Sequence, residues 1–136
     1  MKKVRALTMR ILVRSLVFAG LLAGLAAAGS PETVKGVLID KQCSSKAEPR
    51  IVPGPRIEGG MIVAEAHTRE CLLMPACQKS GYGVFTYENK FLAFDEAGNR
   101  KALEVIKSTK KEDDVEVEVT GEIQGDTIKV TSIKLL

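Results

Sequence analysis

Residues 115–135 read VEVEVTGEIQGDTIKVTSIKL, and this stretch decides the fold class. Val115, Val117 and Val119 alternate with Glu116, Glu118 and Thr120, the two-residue period of a strand with one buried face. Gly125-Asp126 is turn chemistry, and beyond it Ile128 and Val130 alternate with Lys129 and Thr131. The two runs predict an antiparallel pair that ends at Leu135. At Ser132-Ile133 the alternation changes phase, which predicts a β-bulge.

Working back toward the N-terminus, Tyr82–Tyr87 and Lys90–Phe94 predict two strands joined at Glu88-Asn89, a hairpin. Asp95 to Asn99 predicts a turn, with Asn99 capping a helix over Arg100–Lys107 whose Ala102, Leu103 and Ile106 share a face. The aromatics Tyr82, Phe85, Tyr87, Phe91 and Phe94 are expected to divide between the core and one face of the hairpin. Val34–Asp40 is β-branched, short and ended by Asp, and predicts the first strand. Residues 41–60 hold Pro49, Pro53, Pro55, Gly54, Gly59 and Gly60, which interrupt helix and strand alike. Met61 to Met74 (MIVAEAHTRECLLM) regains helical character and is expected to end at Pro75.

The predicted order is strand, long insertion, strand, strand, helix, strand, strand. A mainly β chain with one or two short helices, the longer between the third and fourth of five strands, has the arrangement of the OB-fold, a small partly open barrel. A less specific α+β sheet is the alternative. On the barrel reading the domain spans residues 34–136, and residues 41–81 connect strands 1 and 2, one of the loops with which such barrels bind ligands.

The chain has 136 residues, enough for one domain, with 20 Lys+Arg against 17 Asp+Glu. The excess is local. Residues 1–28 carry Lys2, Lys3, Arg5, Arg10 and Arg14 and no acid, so residues 29–136 hold 15 basic against 17 acidic side chains, a net of −2. A basic segment, an apolar run over Ser15–Ala28 and small residues at Ala26 and Ala28 make residues 1–28 a secretory signal peptide, with cleavage expected after Ala28 and a linker over 29–33. Retention as a membrane anchor is the alternative, although a span needs about 20 apolar residues. No Cys follows the cleavage position, which argues against a lipid anchor. The expected compartment is the bacterial periplasm or the exterior, which is oxidising. Export and the acidic remainder argue against nucleic acid as partner, leaving an unidentified protein or small ligand.

Every cysteine and the single histidine lie in the 41–81 insertion: Cys43, His67, Cys71 and Cys77. His67 and Cys71 are four apart, so one continuous helix would present both on one face. Cys77 follows Pro75 closely enough to turn back on the same point, and Cys43 ends strand 1. The four residues would make a Cys3His set suited to zinc, or to copper(I) with its preference for thiolate. Met74 offers a thioether or fills core. In an oxidising compartment the competing reading is a disulfide between two of Cys43, Cys71 and Cys77, locking the insertion and leaving one thiol.

No nucleophile elbow, phosphate loop, dinucleotide fingerprint or His-Glu-x-x-His pair occurs, and the chain is not read as an enzyme. Catalysis by Cys71 beside His67 is the residual alternative. Lys107 to Lys111 followed by Glu112-Asp113-Asp114 is read as a solvated helix end, with an anionic contact patch as its rival.

The pattern Gly36-x-Leu38-Ile39-Asp40-x2-Cys43, His67-x3-Cys71-x5-Cys77 and Ser80-Gly81-Tyr82-Gly83-Val84 resembles small exported bacterial proteins of unassigned function. The resemblance covers about residues 34–135. It implies a single OB-like domain with a Cys…His…Cys…Cys motif before the second strand, and it supplies no settled activity.

Overall fold

The computed structural model describes residues 29–54 and 56–136. The leader assigned to residues 1–28 lies outside the described residues.

The chain begins with β1 (Glu32–Asp40), one of five strands that make the main sheet. The insertion follows as α1 (Lys41–Ala47), a ribbon of β2 (Arg50–Val52) and β3 (Arg56–Glu58), then α2 (Met61–Glu65), α3 (Arg69–Leu72) and α4 (Pro75–Ser80). The sheet resumes as β4 (Tyr82–Thr86) and β5 (Phe91–Phe94), and α5 (Glu96–Ser108) leads into β6 (Glu116–Gln124) and β7 (Thr127–Leu135). The fold is mainly β, as expected, and the predicted order of sheet strands and long helix is present.

The sheet runs β1-β4-β5-β7-β6, and β1 also pairs antiparallel with β6. The link between β5 and β7 is parallel and only two residue pairs long, Ala93↔Thr127 and Phe94↔Ile128. The sheet is therefore curled on itself and joined by a thin seam, short of an evenly closed barrel. The predicted bulge is present: Thr120 pairs with Ser132 but Gly121 pairs with Val130, so Thr131 is the extra residue. Beyond it Ile133 takes over the inward side, which explains the change of phase.

Two clusters of apolar side chains divide the interior. Leu38, Val84, Leu92, Phe94, Val117, Val119 and Ile128 fill the concave side of the sheet, with Ala102 and Ile106 of α5 packed on them. Val37, Ile39 and Phe85 point the other way and are covered by Ala47 of α1 and Ala64 of α2. The second half of β1 is thus buried on both faces, which is why its apolar run is unbroken instead of alternating. At Gly36 a Cβ would lie 2.1 Å from the carbonyl oxygen of Phe85, so only glycine lets β1 approach β4 there. Of the aromatics, Tyr82, Phe85 and Phe94 are buried, Phe91 is partly buried and Tyr87 is exposed.

Three expectations are corrected. First, the long helix begins earlier than Arg100, because the Asp95 carboxylate accepts from the backbone N–H of Gly98 at 2.9 Å and caps it. Asn99 is inside the helix, and its side-chain oxygen accepts from the N–H of Tyr82 at 2.6 Å, tying α5 to the start of β4. Second, residues 41–60 hold a helix and a two-stranded ribbon. Asp40 starts that helix, and Pro53-Gly54 lie in the turn of the ribbon. Third, the single helix expected over Met61–Met74 is two short ones. Thr68 turns its hydroxyl to the N–H of Cys71 and caps α3, which takes residues 66–68 out of the helix. Pro75, expected as a terminator, is the first residue of α4. Among the described residues the helices number five, more than the one or two expected, and none is long and apolar enough to cross a membrane.

Candidate metal centre

Each element of the insertion is fastened to the sheet by named contacts. Leu72 of α3 is fully buried in the concave cluster, and its carbonyl accepts from the Tyr82 hydroxyl at 2.7 Å. The Arg69 guanidinium donates to the carbonyls of Ile106 (2.8 Å) and Lys107 (3.3 Å) at the end of α5, placing a cation at that helix C-terminus. Cys71 is therefore held from two sides. The Ser80 hydroxyl at the end of α4 stands 2.9 Å from the carbonyl of Cys77 and 3.3 Å from Oδ1 of Asp40. The N–H of Lys41 donates to the carbonyl of Gly81, closing α4 onto the start of α1.

These constraints bring the three sulfurs together. Cys43 in the first turn of α1, Cys71 in α3 and Cys77 in α4 have their Sγ atoms within 4.8 Å of one another, and all three are free, with no pair at bonding distance. A second group shares one member with the first. Asp40, Cys43 and His67 each place a ligand atom within the same 4.8 Å of one another. Cys43, Cys71, Cys77, Asp40 and His67 thus lie close enough to hold a metal ion.

The placement differs from the helical-face argument. His67 precedes the Thr68 cap and follows α2, so it shares no helix face with Cys71. It stands instead with Asp40 and Cys43. Cys77 is inside α4 and almost completely buried. Met74 is about half exposed, so it is not core.

Asp40 is the residue that the sequence reading left out. Its side chain is fully buried; Oδ1 accepts from the N–H of Cys43 at 3.0 Å and caps α1. Oδ2 lies 2.9 Å from Nε2 of His67, whose side chain is 9% exposed. Apart from this contact, neither of the two buried atoms has a hydrogen-bond partner. An Asp ending an apolar strand three residues before a Cys was the available signal, since that spacing is a helix cap.

The electrostatics follow from burial. Burial, then the Asp40 carboxylate, pushes the Cys43 thiol up to about 11. Burial, then Asp40 and the neighbouring thiols, pushes Cys77 up to about 12. Burial holds the His67 imidazole below its ordinary value, against the opposing pull of Asp40. Without a cation, Cys43 and Cys77 favour the neutral thiol and His67 the neutral ring.

Neither models of known families nor curated proteins nor solved structures gave a match to this chain. The site must be read from its own chemistry. A shallow cavity of about 280 Å³, lined by Glu48, Asn89, Lys90, Phe91 and Asp126, involves none of the cluster residues.

Proposed function

We propose that the chain is an exported OB-like binding module that holds a transition metal, zinc or copper, where its helical insertion meets β1. The observation that carries this reading is the convergence of three free thiols from three helices beside a buried aspartate–histidine pair with no other hydrogen-bond partner at Oδ2 and Nε2. Thiolates and an imidazole are the donors that zinc takes, and thiolates are those that copper(I) takes. Donors around one zinc stand about 3.8 Å apart when the zinc–sulfur bond is about 2.3 Å. The triad has to tighten by no more than about 1 Å to reach that spacing. Binding would exchange thiol protons for the cation and pin α1, α3 and α4 together.

The OB-like assignment is supported by the strand order β1-β4-β5-β7-β6 and by the single long helix between β5 and β6. The composition of residues 1–28 supports export. The resemblance to small exported bacterial proteins agrees with both, and the partner that such a module serves is an unidentified protein or small ligand.

Native mass spectrometry of the full chain recovered from a bacterial periplasm, combined with thiol counting, tests the proposal. A mass carrying bound metal, and three titratable thiols after denaturation and chelation, supports it. A loss of two mass units with one free thiol and no metal overturns it in favour of a structural domain locked by a disulfide.

A further inference from the structure

We propose that the cluster takes two metal ions that share the sulfur of Cys43, one among Cys43, Cys71 and Cys77 and a second among Asp40, Cys43 and His67. This rests on the metal-binding reading above and adds a site to it. The two groups have only Cys43 in common: Asp40 and His67 form no group with Cys71 or Cys77. One ion centred among the three sulfurs would therefore leave Oδ2 of Asp40 and Nε2 of His67 with only each other, 2.9 Å apart, and no further partner. An ion between them answers that deficit, because a cation accepts both lone pairs at once. A thiolate sulfur has lone pairs enough to bond two ions, and Cys43 is the residue placed between the groups.

Charge balance points the same way. Three thiolates and the Asp40 carboxylate carry four negative charges, and two divalent ions cancel them. The carboxylate also favours a borderline divalent ion such as Zn²⁺ over Cu⁺ at the second position, since oxygen donors suit harder ions.

The test titrates the reduced full-length chain with zinc, then with cobalt(II) as a spectroscopic stand-in, and counts ions per chain by native mass spectrometry. The expected result is two ions per chain in the parent protein. Asp40→Asn and, separately, His67→Gln are expected to bind one ion and to keep the thiolate-to-cobalt absorption of the sulfur triad. Asn retains a cap oxygen for α1, and the His67 variant leaves that cap untouched, so one of the pair serves even if the other fails to fold. Saturation of the parent at one ion overturns the second site and leaves the metal-binding reading standing. Two ions that survive both substitutions overturn it as well. No bound ion at all overturns both readings.

Discussion

The phenol of Tyr82, on β4, donates a 2.7 Å hydrogen bond to the carbonyl of Leu72, on α3, and both residues are buried. This bond joins the sheet to the segment that carries Cys71. Tyr82→Phe removes the donor and leaves a buried carbonyl unpaired, which costs about 1–2 kcal/mol. Urea unfolding of the metal-free protein measures the loss, and faster alkylation of Cys71 in the variant would report the loosening of α3.

Asp40 has two separable roles. Asp40→Ala deletes the cap of α1 and is expected to destabilise the metal-free protein by about 1–2 kcal/mol. Asp40→Asn keeps a cap oxygen and is expected to cost clearly less. Equal losses in denaturant titrations of the two variants would show that the cap is not what Asp40 contributes to stability.

The raised thiols set a pH dependence. With Cys43 near 11 and Cys77 near 12, both stay protonated in the folded, metal-free chain at neutral pH. Their alkylation by iodoacetamide should be slow at pH 7.5 and rise about tenfold per pH unit, because the thiolate is the reactive form. In the unfolded chain the thiols ionise near their ordinary value. Stability of the metal-free protein is therefore fully present below that value and falls as pH rises toward 11. Peptide-level mass spectrometry and melting curves across this range check both statements.

Asp114 precedes β6 with φ +44°, and its buried Oδ1 has no hydrogen bond. Burial, then the nearby Glu116 carboxylate, raises its carboxyl above the ordinary value. A raised folded value means that ionisation near neutrality opposes folding, while protonation in acid relieves it. Asp114→Asn tolerates the same backbone conformation. It is expected to raise the melting temperature at pH 7, with the difference shrinking as pH falls through the carboxyl range. A constant difference at all pH values would assign the effect to something other than charge.

Gly36→Ala places a methyl group against the Phe85 carbonyl at a separation no real contact has. Separation of β1 from β4 should lower stability by more than about 2 kcal/mol, or prevent folding, and thermal unfolding measures it.

The sheet was legible because its strands have one buried face: Val115 to Thr120 alternate, and the phase change after Thr131 marks its bulge. β1 was legible for the opposite reason, an apolar run buried on both sides. The insertion was not, because helices of four to seven residues are too short to show a period. Their boundaries are set by single side chains, Asp40 at α1 and Thr68 at α3. The residue types of the site could be read from the sequence, but their grouping could not. Where His67 lies depends on the break at residues 66–68 and on a tertiary contact with Asp40, neither of which has a spacing rule.

Asp40 and Tyr82 are register partners, the last residue of β1 and the first of β4. Residues 41–81 therefore depart from one rung of the sheet and return to the same rung. In topological terms the cysteine-bearing segment is an overgrown hairpin turn. The two strands would meet in the same register around a loop of a few residues. Sulfur chemistry here sits in a turn that has become part of the interior, since α1 and α2 cover Val37, Ile39 and Phe85 and Leu72 of α3 packs among the side chains inside the sheet.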